Sequence, residues 1–334
     1  MLPLLAARPD VRVTVVADPD ELALARARAR VPDVRTEGDW RIALASPDLD
    51  AVVVTLPTAL HGAVALAAIA RGVAMYLEKP LAATLDDATA VREAWRATTL
   101  TAAVGFNSRF HPLLIRMRQQ VRAGRIGDPR VLRSAFTVAA RYDGSWRHHA
   151  AEGGGVLYDL ASHHVDMARY LLGREFARVS ATRVVSGDGE RVAVSGEIAG
   201  GVLWSATWAS GTIEDDVVEL IGTEGALRMS RYEDLSLAHR GRSVPGATTR
   251  LMRAVPAAEA VALGLAKRRS PWHDPSFAAA LDNFIIAAHQ KAAAVPGVEE
   301  GWHSARVVDA IAEAARTGRA VALDTSVRMD PANS

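Results

Sequence analysis

Over residues 11–106 short apolar runs alternate with alanine-rich helical segments, and no other feature of the chain constrains its fold as tightly. Val11–Ala17 is β-branched and ends at Asp18-Pro19, as a strand running into a turn does. Glu21–Arg30 follows with helical character. Asp50–Thr55 is near-continuously apolar, the pattern of a strand buried on both faces of a parallel sheet. Ala59–Arg71 reads as a helix stopped by Gly72, Val73–Leu77 as a third strand, Asp86–Ala97 as a helix and Thr101–Phe106 as a fourth strand. Strand and helix alternating at this spacing specify an α/β fold with a doubly wound parallel sheet.

From about residue 130 the pattern changes. Val131–Ala140, Val179–Val185, Val192–Ile198, Val202–Trp208 and Val217–Ile221 read as strands joined by short glycine-containing turns. A second domain of α+β type, built on a large and mostly antiparallel open sheet, is expected. Helices are expected over Phe277–Gln290 and His303–Arg316. The division falls at 1–106 and 107–334, and 334 residues suffice for two cores. A net charge of +1 argues against nucleic acid or an anionic membrane as partner. With no cysteine there is no disulfide, thiolate metal site or cysteine nucleophile. No apolar run approaches the roughly 20 residues a bilayer requires. No basic flank precedes Met1–Leu5 to make a signal peptide, so a cytoplasmic location is expected.

Ligands of doubly wound sheets bind beyond the carboxyl ends of the strands. That rule selects Asp18, Thr55-Leu56-Pro57-Thr58, Glu78-Lys79-Pro80 and Asn107. Lys79 is biased toward extended backbone by Pro80, and a partly desolvated lysine can take part in proton transfer. Alone, the tripeptide reads as a surface ion pair of Lys79 with Glu78. Val156–Leu172 reads as a helix opened by Gly153-Gly154-Gly155 and closed by Gly173. Asp159 and His163, four apart, would share one face, with Leu157, Leu160, His164 and Leu171 on another, mostly apolar stripe. Such a pair can orient a hydroxyl and share its proton; a surface ion pair or a satisfied buried histidine fits the spacing as well.

His148, His149, His163, His164 and Asp166 cluster in sequence, but adjacent helical residues diverge by about 100°, and no H-E-x-x-H spacing exists. No metal is expected. Asp18 is placed to bind ribose hydroxyls, which favours NAD over NADP, although a turn aspartate before proline is common. Arg109, Trp146 and Arg147 are candidates for lining a substrate pocket, either arginine also fitting a structural role.

Together these residues resemble the Gfo/Idh/MocA oxidoreductases. The resemblance rests on Ala17-Asp18-Pro19, Thr55-Leu56-Pro57-Thr58 with His61, Glu78-Lys79-Pro80, Asn107-Ser108-Arg109-Phe110, Gly124–Pro129, and Gly153-Gly154-Gly155 with Asp159 and His163. Gly222-Thr223-Glu224-Gly225 and Val307–Val321 add to it, so that it covers nearly the whole chain. It implies a Rossmann domain plus a C-terminal domain whose open sheet commonly forms the interface of a homo-oligomer, a dimer or tetramer. It implies hydride transfer between NAD or NADP and a hydroxyl or keto carbon of a sugar or cyclitol. Lys79 would assist proton transfer, His163 act as acid/base, and Asp159 orient the substrate or His163. Thr55, Leu56, Pro57, His61, Glu78 and Asn107, with Asp18 and Lys79, would hold the cofactor.

The resemblance departs at its start. Family members open with a strand, a glycine-rich phosphate loop and a helix, whereas Leu2–Ala7 reads as the end of such a helix and no G-x-G-x-x-G occurs after an opening strand. The first strand of a Rossmann sheet is central. Val11–Ala17 is therefore expected to stand apart from Val52–Thr55, without the amides that hold a pyrophosphate. A start site assigned too far downstream, or a natural variant that binds cofactor poorly, would each account for this. Beside the dehydrogenase, a sugar-binding protein that has lost the dinucleotide loop and an NAD-dependent glycosidase therefore stay open.

Overall fold

The computed structural model describes residues 1–139, 155–187, 189–232, 237–241, 253–255 and 274–326. Helix α1 (Leu2–Ala6) leads to strand β1 (Val15–Ala17) and helix α2 (Glu21–Arg30), which begins where the Asp20 carboxylate accepts from the Leu22 amide. Strand β2 (Arg35–Glu37) and helix α3 (Trp40–Leu44) come next. Both are short, and the polar Arg-Thr-Glu of β2 carries no apolar period, so neither is expected from the sequence. Strand β3 (Ala51–Val54), helix α4 (His61–Arg71), strand β4 (Ala74–Leu77), helix α5 (Leu85–Arg96) and strand β5 (Ala102–Val104) follow within a few residues of their expected bounds. Helix α4 stops where Gly72 turns left-handed at φ +68°.

All these strands run parallel, but in two separate sheets, β1–β2 and β3–β4–β5. The expected gap between the first strand and Val52–Thr55 is present. The core of the three-stranded sheet is Leu77, Val104 and Phe106, packed on Val64 and Ala68 of α4 and Val91 of α5.

Helix α6 (Pro112–Arg122) leads to strand β6 (Pro129–Val138). After helices α7 (Val156–Asp159) and α8 (Ala161–Leu172) come β7 (Phe176–Ser186), β8 (Gly189–Ile198), β9 (Val202–Ser210), β10 (Asp215–Gly222), β11 (Gly225–Ser230), β12 (Leu237–Gly241) and β13 (Arg253–Val255). With β14 (Val321–Ala322) they form a nine-stranded sheet in the order β13-β12-β11-β10-β6-β9-β8-β7-β14, antiparallel except for β6–β9. Along β9, Val202, Trp204, Ala206 and Trp208 are buried while Leu203, Ser205 and Thr207 face outward, the period of two that one covered face demands. Val165, Ala168 and Leu171 of α8 join that covered core.

The last two helices join the two parts. In α9 (Ser276–Gln290) Phe284 packs on Tyr76 of β4, ring centroids 5.9 Å apart. Helix α10 (Val298–Thr317) gives Val298 to the parallel-sheet core and Val307 and Ile311 to the nine-stranded one. One rigid helix thus enters both cores and fixes the cleft between them.

Candidate active site

A cavity of about 1130 Å³ lies in that cleft. One wall comes from the carboxyl ends of the parallel strands: Thr55 and Leu56 after β3, Glu78 and Lys79 after β4, and Asn107 beyond β5. The opposite wall carries Asp159 and His163. Segments that the sequence spaces 80 residues apart therefore meet across one space.

The Lys79 ammonium donates to the Asp159 carbonyl oxygen at 2.7 Å and forms a close ion pair with the carboxylate of the same residue. This contact explains a departure from the expected single helix over Val156–Leu172. In an unbroken helix the Asp159 carbonyl would accept from the amide four residues on; here it accepts from Lys79, and the helix divides at Leu160. Asp159 and His163 reach the same cavity from two helices rather than from one continuous face. Leu157, Leu160, His164 and Leu171 are buried, as the apolar stripe requires.

The start of α7 is held from behind. Glu190, 8% exposed, accepts from the Val156 amide and from Arg183 Nε, each at 2.8 Å. Gly155 has φ +93°, and a Cβ there would lie 2.7 Å from the Glu190 carboxylate, so glycine is required on both counts.

His163 places Nδ1 3.4 Å from Ser108 Oγ. Burial first, then the charges of Lys79, Arg231 and His164, push its pKa well below the ordinary histidine value, so the ring is neutral. Beneath it lies a charged network from four distant segments. Arg231 donates to Ser108 Oγ at 3.1 Å, contacts Asp216 at 3.4 Å and pairs closely with Asp274. His164 Nε2 lies 3.0 Å from Asp216 Oδ1. Burial raises the Asp216 carboxyl, but the His164 hydrogen bond and the charges of His164 and Arg231 outweigh it and hold the group below the usual carboxylate range.

The other expected site residues divide. His61 borders the cavity, yet its two ring nitrogens sit 2.6 and 2.9 Å from the carbonyl oxygens of Pro80 and Leu56. It ties the loop after β3 to the loop that carries Lys79. Asn107 borders the cavity while donating to Ser276 Oγ at 2.8 Å. Asp18 accepts from the Asp20 amide at 2.9 Å and Pro57 precedes a turn of 3₁₀ helix; neither borders the cavity. Arg109 needs correction as a substrate-binding candidate. Its guanidinium grips Asp166 at 2.7 and 2.8 Å, with both side chains at most 3% exposed, because a buried cation must be paired. Trp146, Arg147, His148, His149, Gly153 and Gly154 lie outside the described residues. Among the described residues no group of three His, Asp or Glu could hold a metal ion, and no helix is long and apolar enough to cross a membrane. Ser108, Arg231, Asp216 and Glu190 went unassigned in the sequence because each has a partner at least 34 residues away.

Two family models match the chain. One is the NAD-binding Rossmann domain of the Gfo/Idh/MocA oxidoreductases over residues 1–106, the other their C-terminal alpha/beta domain over residues 118–323. The chain belongs to the Gfo/Idh/MocA oxidoreductase family. Among curated members, scyllo-inositol 2-dehydrogenase (NAD(+)) of Bacillus subtilis is 29% identical over 67% of this chain and 68% of its own length. Inositol 2-dehydrogenase of Rhizobium meliloti is 27% identical over 94% and 92%. A structure of levoglucosan dehydrogenase in complex with NADH and L-sorbose superposes with a TM-score of 0.83 at 24% identity, over 97% of this chain and 93% of that one.

The family's NAD can be tested against the residues present. The cavity exceeds the roughly 300–1,000 Å³ of ordinary small-molecule sites, enough for a nicotinamide end and a second ligand together. Thr55 is exposed into it at a parallel-strand terminus, where dinucleotides bind. Gly105 lets Glu78 lie against the β5 backbone, since a Cβ would come within 2.9 Å of its carboxylate. These residues fit the nicotinamide end of the cofactor. No G-x-G-x-x-G loop is present among the described residues to hold the pyrophosphate.

Proposed function

We propose that the chain transfers a hydride between a nicotinamide and a hydroxyl or keto carbon of a sugar or cyclitol, with Lys79, Asp159 and His163 as the residues that meet the reacting oxygen. The observation that carries this reading is the convergence of those three side chains on one cavity beside the carboxyl ends of parallel strands. NAD, when bound, would accept or supply the hydride. Thr55, Leu56, Glu78 and Asn107 would line its nicotinamide end. Lys79, fixed by Asp159, would place a cation beside the oxygen on which negative charge develops. His163, neutral and accessible from the cavity, would exchange the hydroxyl proton.

The same reading divides the chain into a cofactor-binding part, residues 1–106, and a part for substrate and assembly, residues 107–334. Leu203 and Val184 are 60% and 50% exposed on the outward face of the nine-stranded sheet, a surface suited to pairing copies of this chain into a dimer or tetramer. A cytoplasmic location accords with the absence of cysteine.

Titrating the purified chain with NADH and NADPH, followed by a screen of inositols and sugars for nicotinamide reduction, tests the reading. Saturable dinucleotide binding with polyol-dependent NADH formation is expected. Sugar binding by a folded chain that binds neither dinucleotide would overturn it in favour of a non-catalytic receptor, and turnover of glycosides without net NADH formation in favour of a glycosidase.

A further inference from the structure

The ring of His163 is held by a chain of groups beyond Lys79 and Asp159. Ser108 Oγ stands between two nitrogens, Arg231 Nη1 at 3.1 Å and His163 Nδ1 at 3.4 Å. A guanidinium has only N–H donors. Ser108 must therefore accept from Arg231, which leaves its own O–H to be given elsewhere. The acceptor in reach is His163 Nδ1. The ring's other nitrogen, Nε2, has no protein partner among the described residues and is left to the cavity that His163 borders.

We propose that Ser108, oriented by Arg231, is a positioning residue that fixes the tautomer of His163. The resting imidazole accepts at Nδ1 and presents Nε2–H, a donor rather than a lone pair, to the substrate oxygen. Such a ring is set to hydrogen-bond a carbonyl, the reactant of the reductive direction. To take a hydroxyl proton in the oxidative direction it must first shift to the Nδ1–H tautomer, with Ser108 Oγ accepting, so that Nε2 offers its lone pair. Arg231 is itself immobilised by Asp216 and Asp274, so the polarity of the chain does not depend on solvent. The cations facing the ring from the other elements are Lys79 and Arg231, and both oppose a second proton on it. The inference rests on the proposed role of His163, but its test needs neither substrate nor cofactor, so its failure is distinct from failure of that role.

The test is nitrogen-15 NMR of the full chain labelled at histidine, with the His163 resonances assigned by their loss in His163→Gln. The two imidazole nitrogens report directly which of them bears hydrogen. In the parent chain the Nε2–H form is expected to dominate. Ser108→Ala should reduce its ratio to the Nδ1–H form about three- to tenfold, the population change commanded by the net worth of one neutral hydrogen bond. Ser108→Thr, which keeps the hydroxyl, should retain the parent ratio. A parent ring protonated at Nδ1, or a folded Ser108→Ala chain with an unchanged ratio, would overturn the proposal.

Discussion

Lys79 and Asp159, 80 residues apart in sequence, are joined twice: the ammonium meets both the carboxylate and the backbone carbonyl of Asp159. The second contact is the informative one. A surface ion pair involves side chains alone, whereas here the lysine takes a carbonyl out of a helix ladder and divides the helix at Leu160. Removing the lysine therefore removes a cation from the cavity and also releases the end of α7. Lys79→Ala is expected to lower kcat/KM for polyol oxidation on the order of 10²–10⁴-fold, with circular dichroism unchanged. Lys79→Arg should not restore it, since a planar fork cannot replace a point charge with three donors. Activity within about threefold of the parent in Lys79→Ala would remove Lys79 from the proposed chemistry.

The pH dependence follows from His163. Its folded pKa is depressed, so below the ordinary value of about 6.5 the unfolded chain binds a proton that the folded chain refuses. Neutral imidazole accordingly persists on the acid side of that value. The histidine limb of kcat/KM in the oxidative direction is expected below pH 6.5, and stability should fall as pH drops from about 6.5 toward the folded pKa. A pH–rate profile beside urea midpoints measured from pH 7.5 to 5 checks both. An acid limb centred above pH 6.5 would contradict the environment described for His163.

Much of the fold was legible because parallel β/α units write it in hydrophobic period: the helix over Glu21–Arg30 and the strands around Val52 and Met75 follow from pattern alone. The short polar strand Arg35–Glu37 was not, since three residues without an apolar face carry no period. At the site, Lys79, Asp159 and His163 were legible from position relative to strand ends and glycines. The groups that tune them were not. Glu190 lies on the long antiparallel sheet and Arg231 directly follows one of its strands, where a single charged residue reads as a solvated face until tertiary contacts bury it.

Arg109 makes that lesson testable. The sequence places it two residues from a ligand-side asparagine, Asn107; the structure turns it inward onto Asp166. Arg109→Met leaves an unpaired buried carboxylate and is expected to cost about 3–5 kcal/mol in unfolding free energy. The double variant Arg109→Met/Asp166→Leu should recover part of that loss. If Arg109 instead bound substrate, the single variant would raise KM at near-parent stability. Urea denaturation together with KM distinguishes the two.

Glu190 offers a second case, in which stability and chemistry should move together. Its carboxylate accepts from the Val156 amide at the start of the helical turn that presents Asp159, while Arg183 fixes the carboxylate from the other side. An anion at that position satisfies an orphan amide and meets the positive end of the turn. Glu190→Gln keeps the shape, one acceptor oxygen and the bond to Val156, but loses the charge that binds Arg183. It is expected to cost about 1 kcal/mol and to leave turnover within a few-fold of the parent. Glu190→Ala leaves both donors unmet, at about 1–3 kcal/mol, and frees the turn that aligns Asp159 with Lys79, so kcat should fall further than KM rises. Equal turnover in the two variants would show that Asp159 is positioned by Lys79 alone.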